Sequence, residues 1–177
     1  MISPQTIGEG QYMYHIGEIL IYGAHGACRV VEHAYSQTGG KPVTYLVLEP
    51  LGQTGARYMV PAHNQLAMAK LRPLMTPEEL ERLPGIAAEQ PPQWIQDENR
   101  RKALYRELIG STDRGRLLAL LMEVCRHKEE QLEKGRKCHL CDENFIRDAE
   151  KVLCGEIGAV LELGPSEAKA WLAERIE

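Results

Sequence analysis

Short β-rich runs fill the chain up to about residue 73, and apolar positions recur at helical spacing after it. The first run, Ile16 to Tyr22, ends at Gly23-Ala24-His25-Gly26, whose two glycines mark a tight turn. Cys28 to Tyr35 resumes the strand pattern, Ser36 to Gly40 forms a flexible hairpin connection, and Val43 to Leu48 returns. After the Gly52 to Gly55 turn, Arg57 to Val60 reads as a fourth strand stopped by Pro61, because proline cannot donate to a ladder. Short strands at this spacing predict a small antiparallel barrel.

Helices begin at Thr76-Pro77-Glu78-Glu79, where a Thr N-cap, a Pro at the first helical position and a Glu at the third make a capping box. This predicts a short helix through Leu83 ending near Pro84-Gly85, followed by an extended linker to Pro91-Pro92. A helix over Arg100 to Ile109 follows, and Gly110 to Asp113 supplies a stop and a new cap. Leu117, Leu118, Leu120, Leu121, Val124 and Cys125 then form the broad apolar stripe of a bundled helix. Phe145, Ala149, Val152, Leu153, Ile157, Val160 and Leu161 supply its partner up to Gly164-Pro165, and Ser166 is expected to cap a final helix carrying Trp171. Strands followed by helices define an α+β chain of two domains, a small antiparallel β-barrel and an all-α helical bundle. Its 177 residues are enough for two small cores.

The net charge of −4 argues against indiscriminate nucleic-acid binding, yet residues 100–137 hold eleven Lys and Arg against six acids. A positive segment can touch phosphates if its charges share a face, and it can equally be a solvated helix surface. No apolar run reaches the length of a membrane span, and the first ten residues lack a charged start followed by an apolar stretch. With five cysteines and no secretory signal, the expectation is a cytoplasmic protein with reduced thiols and no membrane association. Cys138-His139-Leu140-Cys141 suggests, with Cys125 and Cys154, a four-cysteine zinc site. Cys125 and Cys154 each lie 13 residues from the nearer member of the pair, so helical spans would hold them up to about 20 Å away. The CxxC is therefore expected to be a plain loop with Cys141 or Asp142 as N-cap, and no metal or cofactor is expected. His25 reads as a turn residue, since no nucleophile and carboxylate pattern surrounds it, and no enzymatic activity is expected.

The string IGEILIYGAHGACRVVE from residue 16, then YLVLEP, then Val60-Pro61 with Asn64 and Leu71-Arg72-Pro73, resembles CarD-like bacterial transcription factors. Pro91-Pro92-Gln93-Trp94, the capped helix after Ser111 and the KVLCGEIGAV segment extend the resemblance to roughly residues 15 to 163. A similar module opens the transcription-repair coupling factor, which continues into a motor; this chain has no phosphate-cradling Gly-rich loop followed by Lys-Ser or Lys-Thr. The resemblance implies an N-terminal extension (1–14), a Tudor-like (SH3-like) RNA polymerase-interacting barrel (15–73), a capped short helix with linker (74–92) and an α-helical DNA-binding domain (93–177).

In such proteins an exposed barrel strand pairs edge to edge with the polymerase β subunit, backbone hydrogen bonds giving attachment and alternate side chains selectivity. Here that strand is Arg57, Tyr58, Met59 and Val60; Gln37 and Met59 stand where relatives carry arginine. Trp94 resembles the tryptophan that wedges into the minor groove at the upstream edge of the promoter bubble and favours the melted state. From composition alone it reads as an amphipathic anchor packed on the bundle. Arg100, Arg101 and Lys102 correspond to basic residues that touch adjacent phosphates, displaced here by an insertion that includes Asp97 and Glu98. Arg114 and Arg116 are further candidates, although cations at a helix N-terminus are disfavoured unless an anion lies close. The implied function is a regulator, monomeric when free, that binds RNA polymerase and promoter DNA and modulates open-complex stability. The alternatives are an adaptor that keeps the polymerase contact without DNA binding, and a cysteine-based redox or metal sensor.

Overall fold

The computed structural model describes residues 13–38, 40–53, 55–89 and 91–176. The expected N-terminal extension, apart from residues 13 and 14, lies outside them. Five strands, β1 (Ile19–Tyr22), β2 (Ala27–Thr38), β3 (Lys41–Pro50), β4 (Tyr58–Pro61) and β5 (Leu71–Pro73), form one antiparallel sheet in the order β4-β3-β2-β1-β5. The long β2–β3 hairpin carries a bulge between Val30 and Glu32, which bends the strand. Every strand contributes to one apolar cluster: Leu20, Cys28, Val30, Leu46, Leu48, Val60 and Leu71. Fully burying one of these leucines or valines is worth about 1.5–3 kcal/mol, so the alternation that selects them also holds the sheet to one curvature.

Two elements of this half were not anticipated. A single-turn helix, α1 (Gln65–Met68), is started by Asn64, whose side chain accepts from the amides of Leu66 and Ala67, both at 3.1 Å. Leu71 to Pro73, too short to show any alternation, pairs with β1.

The helices are α2 (Pro77–Glu89), α3 (Glu98–Gly110), α4 (Arg114–Glu133), α5 (Leu140–Leu161) and α6 (Pro165–Ile176). The capping box forms as expected: the Thr76 amide donates to Glu79 Oε2 at 2.8 Å, and the Glu79 amide to Thr76 Oγ1 at 3.2 Å. α2 nevertheless continues through Pro84. Burial of Leu80, Leu83 and Ala87 in the helical core outweighs the hydrogen bond that proline removes. The core joins these residues to Tyr105, Leu108, Leu117, Leu121, Phe145, Leu153, Ile157 and Leu172, among others, and shares no buried member with the sheet cluster.

Two expected caps differ, and a third helix gains a cap that was not anticipated. His139, not Cys141 or Asp142, precedes α5, and Asp142 lies inside the helix, where it is buried. Ser166 lies within α6, whose start at Pro165 is supported by the Gly164 amide donating to Glu167 Oε2 at 2.9 Å. Asp97 caps α3 by accepting from the Arg100 amide at 2.8 Å, so the acidic insertion serves to begin that helix.

Candidate functional site

β4 stands at one end of the strand order, paired with β3 on one side only. The Ala62 amide donates to the Thr44 carbonyl at 2.9 Å, and the register pairs Pro61 with Tyr45, Val60 with Leu46, Met59 with Val47 and Tyr58 with Leu48. Antiparallel ladders alternate, so Val60 and Tyr58 direct their backbone groups at β3 while the amide and carbonyl of Met59 point away from the sheet. Pro61 has no amide to offer at the next outward position, which confines the outward donors to Met59 and the residue before Tyr58. The side chains alternate too: Val60 is fully buried, whereas Met59 is 55% exposed. Tyr58 is half-buried, its ring 4.1 Å from that of His25 and 6.0 Å from that of Tyr22.

Arg57 is exposed and reaches Glu32 at 3.8 Å. Gln37 is exposed opposite Pro42, beyond the Pro61 end of β4, while Arg57 adjoins the Tyr58 end. The two expected contacts thus flank the edge rather than cluster on it.

At the far end of the helical core, the Trp94 indole stacks on His127 with centroids 3.6 Å apart and 15° between planes. The Arg101 guanidinium lies 4.7 Å from the indole centroid. Arg101 is not a surface cation. Its side chain is 4% exposed, pairs with Asp142 through Nε at 3.1 Å, and donates to the carbonyls of Ile95 and Gln96, each at 2.9 Å. The Tyr105 hydroxyl donates to the same carboxylate at 2.7 Å. Burial and that carboxylate push the Tyr105 hydroxyl well above its ordinary pKa. Trp94 is therefore half-buried on a built platform, as an amphipathic anchor would be, and Arg101 is removed from the set able to reach phosphate.

Arg114 is the second correction. It is 3% exposed, and its Nε donates to Glu156 Oε2 at 3.1 Å. Here is the anion that makes a cation tolerable at a helix start. Arg116 is exposed with a loose 3.8 Å contact to Glu107, but it sits in the first turn of α4, at the opposite end of that helix from His127.

Arg100 and Lys102 remain near Trp94. Arg100 is exposed with no ion pair to a described residue, and Lys102 is half-exposed with Glu98 at 2.5 Å. Of the eleven cations counted in residues 100–137, Arg101, Lys102, Arg114, Arg116 and Arg126 are in ion pairs. Three of these partners, Glu98, Asp142 and Glu156, lie outside the counted segment and offset part of its excess. Exposed Lys134, Arg136 and Lys137, in the α4–α5 connection, lie at the same end as Trp94, because Glu98 and His139 approach to 4.0 Å across it.

Among the described residues no group of three or more His, Cys, Asp or Glu is placed to hold a metal, and all five cysteines are free. Burial pushes the Cys125 thiol up to about 11 and raises those of Cys138, Cys141 and Cys154. Among the described residues no helix is long and apolar enough to cross a membrane.

Among the described residues β4 and β5 stand at the two ends of the sheet, and the helical part carries an aromatic and cationic end around Trp94. Residues 14–74 match the family model described as the CarD-like/TRCF RID domain. The match covers about a third of the chain, and this part is similar to that family of domains. No curated protein matches the chain.

Proposed function

We propose that this protein is a non-enzymatic transcription regulator, monomeric and cytoplasmic, that binds the RNA polymerase β subunit by strand addition and promoter DNA by its helical part. Residues 15–73 act as a Tudor-like barrel and tether; residues 93–177, reached through the capped helix and linker of 74–92, face the DNA. The observation that carries this reading is the outward-facing backbone of Met59 on an edge strand, within a segment that matches the CarD-like/TRCF RID domain model. An incoming strand would find one amide and one carbonyl there, with Arg57 and Met59 beside them for selectivity. Tyr58 and Val60 hold the strand from behind.

The DNA reading is supported by Trp94, Arg100 and Lys102 lying on one end of the bundle, where an indole edge can meet unstacked bases and the two cations adjacent phosphates. A second reading, a polymerase-bound adaptor without DNA contact, is favoured by the stacking of Trp94 on His127 and the loss of Arg101 and Arg114 to buried partners. Binding to a forked promoter fragment separates the two.

Co-purification with polymerase core tests the tether. Met59→Pro removes an outward donor without touching the β3 ladder and is expected to weaken retention about tenfold, whereas Met59→Ala is retained. Full retention of the proline variant contradicts strand addition.

A further inference from the structure

The two apolar cores share no buried residue, so their relative orientation depends on what lies between them. Among the described residues, three of the contacts between them bear on that orientation. The Gly23 amide on the sheet side donates to Lys70, and a Cβ on Gly23 would come 3.1 Å from the Gly110 carbonyl oxygen at the end of α3, so the backbones nearly touch. The Ala24 to Ala27 turn borders a small crevice with Lys151, Val152 and Gly155 of α5. The third contact is ionic and enclosed.

Glu156 of α5 has no exposed surface. Its two oxygens receive Arg72 Nη1 at 2.6 Å and Nη2 at 2.5 Å, the Met75 amide at 3.1 Å, and Arg114 Nε at 3.1 Å. Arg72 belongs to β5 and also donates through Nε to the Thr112 carbonyl at 3.1 Å, in the α3–α4 connection. One guanidinium thus engages three segments, with its plane fixed by a two-pronged carboxylate. Among the described residues Arg114 Nη2 is a buried donor without a hydrogen-bond partner. Buried ion pairs are poor stabilisers because desolvation offsets their attraction, but they tolerate only one geometry.

We infer that Arg72, Glu156 and Arg114 form an orientation latch, holding the free β4 edge and the Trp94 end of the bundle at a fixed span and angle. The inference rests on the reading in which the first surface binds polymerase and the second meets DNA. A wedge acts at one base step only if its tether places it there; a loose joint would leave polymerase binding intact and dilute the wedge over many positions. Arg72 is a positioning residue: it touches neither partner.

The test uses the full chain with its native cysteines replaced and fluorophores at exposed Ser36 and Glu133. Arg72→Gln is expected to broaden the distance distribution while helix content and polymerase retention stay as in the parent, and to reduce the effect on open-complex lifetime about fivefold. Arg72→Lys, which keeps the charge on one prong, is expected to fall between. An unchanged distribution in Arg72→Gln overturns the latch, as does a failure of both variants to fold, which would make the cluster a stability element instead. A broadened distribution with a parent protein inert on promoters leaves the latch standing and removes the functional reading.

Discussion

Trp94 and His127, 33 positions apart, stack ring on ring at 3.6 Å, so the aromatic residue expected to meet DNA rests on an imidazole in the free protein. Burial lowers the pKa of His127, with Arg101 adding to the effect and Glu130, Asp142 and Glu123 opposing it. The folded state therefore favours the neutral ring. Above the unfolded value of about 6.5 both states are neutral and the contribution is complete; as pH falls through the depressed folded value the unfolded state binds the proton first and stability is lost. Exposed His25 is shifted in the same direction by partial desolvation and by Lys70 and Lys151, and adds to the loss. His127→Gln is expected to reduce the drop in melting temperature between about pH 7.5 and about pH 5.5, and to change the tryptophan fluorescence in that range. An unchanged pH profile in the variant would contradict the assignment.

Asp142 holds Arg101 and Tyr105 with 1% of its side chain exposed. Asp142→Asn leaves a buried guanidinium without its counter-charge and is expected to destabilise the protein by about 3–5 kcal/mol in urea denaturation. Joint replacement, Arg101→Met with Asp142→Leu, is expected to recover most of that loss, because both charges then leave the interior.

Arginines 100, 101 and 114 separate charge from folding. Arg100→Gln is expected to leave stability within about 0.5 kcal/mol and to lower the slope of log affinity against log salt for forked promoter DNA by about 1. Arg101→Gln and Arg114→Gln act through stability, since neither side chain reaches solvent. Equal salt slopes for Arg100→Gln and the parent would place the DNA contact elsewhere or remove it.

The sequence pattern was informative where one physical rule dominated locally. Thr76 and Glu79 form the capping box, Asp113 caps α4, and Val60 alternates inward beneath an exposed Met59. It misled where packing overrode a local rule, as when α2 ran through Pro84 to bury Ala87. Charge counting misled most, because partners lie 41, 42 and 84 positions apart in Arg101–Asp142, Arg114–Glu156 and Arg72–Glu156. A signal was nevertheless present. Arg101 shares a helical stripe with Tyr105 and Leu108, Arg114 with Leu117, Leu118 and Leu121, and Asp142 and Glu156 with Phe145, Ala149, Val152 and Leu153. A charge in register with an apolar stripe is a buried charge in need of a counter-ion, and two stripes of opposite sign name each other. Arg72 had no such signal, since a three-residue strand shows no period.

Amide hydrogen exchange at Met59, recorded with and without a fragment of the polymerase β subunit, tests strand addition most directly. The amide should exchange readily in the free protein and become protected in the complex, while Val60, already facing β3, changes little. Exchange at Met59 that is already slow in the free protein, or that stays fast in a formed complex, would show that this edge is not where the protein docks.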